Sequence, residues 1–221
     1  MSKVVAVIPA FNEQATIQEV IRSVRPMVQE IIVINDGSLD ATSAIARAEG
    51  VVVIDHRLNC GLGAALSTGL HVARRRGADF VVTLDADGQM FAEDIARICA
   101  PLEEGRCDLV IGSRFLEGGN AIPKRRRLYN RIGNILTWAL FGIQTSDSQS
   151  GIRGFNAHAM DSIGLRCSRM EVSSEFFLEI QRRNIRWQEV PVRIQYTAYS
   201  LSKGQNFFHG VRTLARLAMR R

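Results

Sequence analysis

Short, wholly apolar runs alternate with amphipathic segments along the first half of the chain, and this alternation constrains the fold more than any other feature. The apolar runs are KVVAVI, EIIVIN, VVVID, FVVTLD and DLVIGS, and the segments between them cover residues 15–26, 40–49, 63–76 and 92–104. Runs of consecutive β-branched residues are typical of parallel strands covered on both faces, and such connections fit crossover helices. The sequence therefore predicts an α/β fold with a Rossmann-like, mostly parallel sheet flanked by helices.

The second half of the chain is less regular. Its pattern predicts helices over 125–143 and 174–184, a loop with a short strand over 147–155, a strand over 186–196 and a final helix over 206–221. The 221 residues show no linker, repeat or low-complexity segment, and their number suits one domain. We therefore expect a single domain.

Cysteine use and hydropathy exclude several classes of protein. Cys60, Cys99, Cys107 and Cys167 show no C-x-x-C spacing, which argues against a disulfide framework or a structural zinc site and fits a reducing cytosol. No stretch approaches the roughly 18 uninterrupted apolar residues of a spanning helix, and no signal-peptide core follows the first residues. We expect a protein that is neither secreted by a signal peptide nor membrane-spanning.

The net charge of +6 is placed unevenly. No acidic residue follows Glu189, whereas six basic residues do, and a second basic cluster comprises Lys124 to Arg127 with Arg131. These clusters suit phosphate or an anionic membrane surface. Nucleic acid is not an expected partner, because the rest of the chain is neutral and carries no recognised binding motif.

The final segment, 206–221, has the pattern of an amphipathic basic helix. Its apolar residues gather on one side and its arginines on the other. Two interpretations stay open. The helix is either a peripheral membrane anchor or a terminal helix that packs on the domain's own core.

Polar residues follow several of the predicted strands, at the edge where parallel sheets bind ligands. They are Asn12 and Glu13, Asp36, Asp85 and Asp87, and Ser113 and Arg114. The strongest signal is TLDADGQ, in which Asp85 and Asp87 end a buried strand and point to one face, with Gln89 nearby. Such oxygen ligands suit Mg²⁺ or Mn²⁺, which neutralises a diphosphate leaving group. The alternative is an acidic turn in which one aspartate caps the next helix.

Two other loops allow functional or structural interpretations. Asp36, followed by Gly37, either binds a base or a ribose hydroxyl or serves the turn, whereas Asp40 caps the next helix. The segment NCGLGAALSTG fails the dinucleotide fingerprint, because its third glycine position is Leu66. We interpret it as a loop that opens a helix, either near a phosphate or as a plain helix start.

The arginine clusters differ in their place on the predicted helices. Arg74, Arg75 and Arg76 end a helix before Gly77, where cations complement the helix dipole, so they are structural. Lys124 to Arg127 begin a helix, where cations oppose the dipole, so an anion-binding role is the better interpretation and a solvated face the alternative.

No nucleophile–base–acid set is evident. His56, His71, His158 and His209 are expected to be surface or packing residues.

In order, the motifs VIPAFNE, INDGSLD, N-x-G-x-G, LDADGQ, GSRF, DSQSGIRGF and E-V-P-V followed by SK resemble those of family-2 glycosyltransferases of the A-type fold. The branch that they resemble most contains dolichyl-phosphate and polyprenyl-phosphate mannosyl- or glucosyltransferases. The resemblance covers about residues 3–205. It implies a glycosyltransferase catalytic domain over 1–205, followed by the helix at 206–221.

The resemblance also implies roles for individual residues. Pro9, Phe11, Glu13 and Ala86 would line the nucleotide sugar, and Asp36 would hold the base. Asp85, Asp87 and Gln89 would hold the metal and diphosphate. Arg114 would contact the donor phosphate, while Arg127, Arg131 and Lys203 would gather phosphate oxygens near the reacting centre. Asp87, Arg114, Arg127 and Arg131 are the expected catalytic residues.

The expected function is metal-dependent, inverting transfer of a hexose from a GDP-mannose or UDP-glucose type donor to a polyprenyl, dolichyl-like phosphate at the cytoplasmic face of a membrane. A phosphate monoester is largely dianionic at neutral pH and attacks without a general base. One alternative is a transferase for hydroxyl acceptors in polysaccharide or cell-envelope glycan synthesis, with Asp147 or Glu175 as the base. The other is a non-catalytic nucleotide-sugar sensor.

Overall fold

The computed structural model describes residues 2–117, 122–165 and 172–196, and seven strands in these ranges form one sheet. The strands are β1 (Val4–Ala10), β2 (Glu30–Asn35), β3 (Val52–Asp55), β4 (Phe80–Thr83), β5 (Leu109–Ser113), β6 (Arg153–Asn156) and β7 (Trp187–Pro191). Their order in the sheet is β3-β2-β1-β4-β6-β5-β7. All run in one direction except β6, which is antiparallel to both neighbours. The predicted mostly parallel sheet is confirmed.

The helices connect the strands much as the sequence predicts. They are α1 (Ile17–Val24), α2 (Thr42–Ala48), α3 (Leu62–Arg75), α4 (Ile95–Glu103), α5 (Lys124–Phe141), α6 (Ala157–Ser162) and α7 (Val172–Arg183). Short 3-10 turns at Arg25–Met27 and Ala92–Asp94 extend α1 and precede α4. The predicted helix at 206–221 lies outside the described residues.

Both faces of the sheet are covered, which explains the uninterrupted apolar runs. In β1, Ala6 and Ile8 pack into a core shared with α1 and α4, whereas Val5 and Val7 pack into a second core shared with α3 and α7. Since successive residues of a strand face opposite sides, every position of such a strand must be apolar.

The antiparallel strand β6 matters most for the site. Its register pairs Val82 of β4 and Val110 of β5 with Gly154. Because β6 runs against its neighbours, it begins at the edge where β4 and β5 end. The loop that leads into β6, residues 145–152, therefore lies beside the loops that carry Asp85 and Arg114.

Two predictions on the second half need correction. The predicted strand at 186–196 ends at Pro191, and Ile194 beyond it forms only an isolated antiparallel bridge to Met90. Helix α6 was not predicted. Asn156 precedes it as the N-cap and accepts a hydrogen bond from the Ala159 N–H with its side chain, and the six residues of the helix are too few for a helical period to show.

The structural interpretations of several polar residues are confirmed. Arg74 pairs with Asp161 and Arg76 with Glu30, while Asp40 accepts the Thr42 N–H at the start of α2.

Cys60, Cys99 and Cys107 are free thiols, and Cys167 lies outside the described residues. In the part of the chain that the structure describes, no helix is both long and apolar enough to cross a membrane.

Candidate active site

The loops after β1, β2 and β4 are joined to one another at the carboxyl edge of the sheet. Asn12, which follows β1 with φ 55°, accepts the Leu39 N–H at 2.9 Å, and its own N–H donates to Ser38 Oγ at 2.9 Å. Thr16 Oγ1 donates to the Ala86 carbonyl at 2.7 Å and lies 3.1 Å from Glu13 Oε2. These hydrogen bonds hold the three loops together as one surface, which forms the floor of the candidate site.

Asp85 and Asp87 lie half-buried on this floor, directly after β4. Burial raises the pKa of Asp85, and Glu13 adds to the rise, while Arg153 and Arg114 oppose it. Burial and the neighbouring Asp85 carboxylate raise the pKa of Asp87 to about 6. Two neighbouring carboxylates whose pKa values are both raised in a partly desolvated loop form a site where a bound cation would stabilise their charged forms.

Gln89 orients Asp87. Its backbone N–H donates to Asp87 Oδ1 at 3.1 Å, and its side-chain Nε2 donates to Oδ2 at 2.7 Å. The structure thus brings Gln89 to the aspartate pair, as a hydrogen-bond donor to Asp87. Its role as a third metal ligand stays a prediction.

Gly151, in the loop before β6, shapes the site on the other side. A Cβ at this position would overlap with the Asp85 carboxylate, and Thr83 Oγ1 holds the Gly151 carbonyl at 3.1 Å. The site is compatible with a bound Mg²⁺ or Mn²⁺. It offers carboxylate oxygens whose pKa values are raised, and Gly151 leaves them room. The ion would supply the positive charge that stabilises the ionised carboxylates.

Arg153 is a site residue that the sequence reasoning missed. Its side chain is buried with the guanidinium 4.5 Å from the Phe176 ring centroid, and in the described part of the chain its Nε has no hydrogen-bond partner. Burial lowers the pKa of Arg153 to about 10, although Asp85 and Asp147 oppose this effect. A fixed cation thus stands behind the aspartates. The only sequence signal was its place in the DSQSGIRGF motif.

Arg114 follows β5 and forms a bidentate ion pair with the fully buried Asp147. Its Nε and Nη2 donate to the two carboxylate oxygens at 2.6 Å each, and its backbone N–H donates at 3.1 Å. Burial by itself lowers the pKa of Arg114, but Asp147 outweighs it and raises the pKa. Glu189 holds the other side of this loop by accepting the N–H groups of Ser146 and Asp147. Asp147 therefore positions Arg114.

Asp36 is buried at the end of β2 with its carboxylate bonded within the chain. It accepts the N–H groups of Cys60 and Gly61 at 2.9 and 2.7 Å, and its Oδ1 lies 2.7 Å from His56 Nδ1. His56 Nε2 in turn lies 3.0 Å from Thr68 Oγ1. The structural interpretation of Asp36 is thus realised, and base binding stays a prediction. His56, expected to be a surface or packing residue, is half-buried and lies against two partners, 20 and 12 residues away in the chain, that the sequence pattern does not reveal.

The other predicted nucleotide residues lie at the same edge. Pro9 is half-buried at the end of β1, Phe11 is 42% exposed, Glu13 acts on the pKa values of both aspartates, and Ala86 is buried between them. Lys203 lies outside the described residues.

The basic cluster divides between two faces of α5. Arg127 and Arg131 are exposed, whereas Arg126 is half-buried, stacks 4.8 Å from the Tyr196 ring centroid and acts electrostatically on Asp87. The structure therefore brings Arg126, which was not singled out, toward the aspartates. The predicted phosphate roles of Arg127 and Arg131 stay predictions.

Comparison with solved structures confirms the A-type glycosyltransferase fold. The structure of glucosyl-3-phosphoglycerate synthase from Mycobacterium tuberculosis in complex with Mn²⁺, UDP and phosphoglyceric acid aligns with a TM-score of 0.74. The alignment covers 99% of this chain and 76% of that chain at 22% sequence identity.

Relatives in sequence fit the same assignment. The UDP-N-acetylglucosamine–dolichyl-phosphate N-acetylglucosaminyltransferase of Methanococcus voltae is 33% identical over 96% of this chain and 94% of its own length. The polyprenol monophosphomannose synthase of Mycolicibacterium smegmatis is 31% identical over 74% of this chain and 65% of its own length. The model of the family described as "Glycosyl transferase family 2" matches residues 5–164. The chain belongs to glycosyl transferase family 2 and is a glycosyltransferase.

Proposed function

We propose that the protein transfers a hexose, with inversion, from a nucleotide diphosphate sugar to a polyprenyl phosphate, at the cytoplasmic face of a membrane. The donor is of the GDP-mannose or UDP-glucose type. The name of the Methanococcus relative adds UDP-N-acetylglucosamine to the donors worth testing. The Methanococcus relative is named for a dolichyl-phosphate acceptor and the Mycolicibacterium relative for a polyprenol monophosphomannose product, which supports the acceptor class.

The reaction is a displacement at the anomeric carbon. An oxygen of the acceptor phosphate forms the new bond to this carbon while the bond to the donor diphosphate breaks, and the electron pair leaves with the diphosphate. Asp85 and Asp87 would hold Mg²⁺ or Mn²⁺, with Gln89 beside them, and the ion would stabilise the charge of the leaving diphosphate.

The residues of the chain supply position and charge. Asp147 and Glu189 hold the loop that fixes Arg114 beside the aspartates, where its guanidinium suits a phosphate oxygen of the donor. Arg126 faces the same site from the start of α5, and we assign it with Arg127 and Arg131 to the acceptor phosphate. Buried Arg153 adds a permanent positive charge behind Asp85.

The observation that carries the proposal is the state of Asp147. A hydroxyl acceptor needs a carboxylate that is free to take a proton. Asp147 is fully buried and spends both oxygens on Arg114, so it does not suit that task. Glu175, the other candidate, is buried on α7. A phosphate acceptor needs no such base, because it is already ionised.

A transfer assay with matched acceptors tests the proposal. The protein is incubated with GDP-mannose, UDP-glucose or UDP-N-acetylglucosamine and either a short-chain prenyl phosphate or the prenol of the same chain, with Mn²⁺ or with chelator. We expect transfer to the phosphate only, in the presence of metal. Preferred transfer to the prenol, or full activity in chelator with no residual metal, would refute the proposal.

A further inference from the structure

We propose that the outward face of α5 is the surface by which the protein docks on an anionic lipid bilayer, the source of its acceptor. This inference deepens the proposed function and rests on it for the identity of the lipid substrate. The docking itself is a separate physical property of the helix, which makes the two testable apart.

The buried residues of α5 show which side of the helix faces the domain. Asn130, Gly133, Thr137 and Phe141 are buried, and these positions share one face at about 100° per residue. Asn130 Nδ2 donates to the Ser146 carbonyl at 2.9 Å, which ties this face to the loop that holds Arg114. The opposite face therefore points away from the domain.

That opposite face carries a stripe of exposed apolar side chains. Leu128, Ile135 and Trp138 lie on it and are 57%, 54% and 55% exposed. Among the described residues only seven large hydrophobic side chains are exposed, and these three form one stripe along one helix. Large apolar side chains that share an exposed face mark an interaction surface rather than chance exposure.

The charge of α5 selects the partner. The helix KRRRLYNRIGNILTWALF carries five cations and no acid, and Lys124, Arg127 and Arg131 are exposed on the side of the stripe. Four of the cations occupy the first turn, where the helix dipole is also positive. An anionic partner bound there would therefore be stabilised both by the cations and by the dipole. A second copy of this helix would bring like charges together. A bilayer with anionic headgroups satisfies both the cations and the apolar stripe, and tryptophan suits the interface between them.

The stripe is also continuous with the active site. Arg126, one residue before the outward Arg127, faces inward toward Tyr196 and Asp87. From Leu128 to Trp138 the stripe runs about 15 Å along the helix. A prenyl phosphate would thus meet the start of α5 with its phosphate while its chain stays in the bilayer.

Tryptophan fluorescence isolates this surface from the rest of the chain. The chain has two tryptophans, Trp138 and Trp187, and the basic segment 206–221 has none. In a Trp187→Phe variant of the full chain, we expect vesicles of phosphatidylcholine with phosphatidylglycerol to shift the emission of Trp138 to the blue, and brominated lipids to quench it. If this variant fails to fold, loss of the same shift in Trp138→Phe gives the answer.

Matched substitutions measure the contribution of the stripe. Ile135→Glu should lower the vesicle partition coefficient at least tenfold. Leu39→Glu, the same change of charge at a leucine that is 94% exposed elsewhere, should leave it within twofold. Each glutamine in place of Lys124, Arg127 or Arg131 should weaken binding roughly fivefold at low salt.

Three results would overturn the inference. Sedimentation with anionic vesicles without a change in Trp138 emission would assign docking to another segment. A blue shift that depends on protein concentration without lipid would assign the stripe to a second copy, and equal binding of Ile135→Glu and wild type would remove the stripe from docking. Transfer to a soluble short-chain prenyl phosphate should be unchanged in Ile135→Glu. Docking without any such transfer would refute the proposed function and leave the docking surface standing.

Discussion

Replacing Asp87 by asparagine should stabilise the metal-free protein at pH 8 while abolishing sugar transfer. The carboxylate is charged at this pH, yet burial and the nearby Asp85 disfavour its charge. Asparagine has almost the same shape and removes the charge. A residue that costs stability in the absence of its ligand is expected in a site built to bind a cation.

The pKa of Asp87 gives the magnitude. A rise from the ordinary 3.8 to about 6 corresponds to about 3 kcal/mol at about 1.36 kcal/mol per pH unit. Asparagine keeps one of the two hydrogen bonds from Gln89, and loss of the other costs about 1 kcal/mol. The free energy of unfolding at pH 8 should therefore rise by about 2 kcal/mol.

The pH dependence has a definite sign. Because the pKa of Asp87 is higher in the folded than in the unfolded protein, the folded protein binds the proton more tightly. The penalty is absent below about pH 4, grows as the pH rises to about 6 and is complete above it. The advantage of Asp87→Asn should thus vanish at pH 4.

Urea unfolding in chelator at pH 8 and pH 4 measures these differences. Asp161→Asn is the matched control, since the Arg74 guanidinium lowers the pKa of Asp161, so its substitution should not stabilise the protein. Mn²⁺ at about 100 times its Kd should add about 2.7 kcal/mol to the wild type and much less to Asp87→Asn. A variant that is no more stable than wild type in chelator at pH 8 would refute the electrostatic account of the site.

Two further substitutions test the walls of the site. Gly151→Ala should displace the Asp85 carboxylate and weaken Mn²⁺ binding at least tenfold in calorimetry, whereas Gly164→Ala, where a Cβ meets open space, should not; equal Mn²⁺ affinity in both would contradict the fit. Asp147→Asn should cost about 3 kcal/mol of unfolding free energy in urea, because it breaks the buried ion pair with Arg114. Loss of transfer without loss of stability would instead make Asp147 a general base.

The sequence was most informative where one local pattern decides the structure. The β-branched runs required a sheet covered on both faces, and Asp85 with Asp87 at the end of β4 required a carboxylate pair at its carboxyl edge. Neither inference depends on distant parts of the chain. For the same reason the structural role of Asp40, two residues before its partner Thr42, was predictable.

The walls of the site could not be predicted, because they depend on strand direction. Nothing local in RGFN shows that β6 runs antiparallel between β4 and β5. That direction alone brings Gly151 against Asp85 and Asp147 against Arg114. It also buries Arg153, which in a sequence has the same appearance as a surface arginine.

The basic cluster shows how helix phase limits inference from composition. Consecutive residues on a helix differ by about 100°, so four adjacent cations cannot share one face. The direction in which each cation points is fixed further along α5, at Gly133. There the helix lies so close to the loop before β6 that an added Cβ would meet Ser148 Oγ at 3.0 Å. This contact turns Arg126 toward the aspartates and leaves Arg127 and Arg131 outside. A single cluster can therefore serve two successive tasks, with the outer cations drawing an anionic headgroup to the helix and the inner one meeting it beside the site.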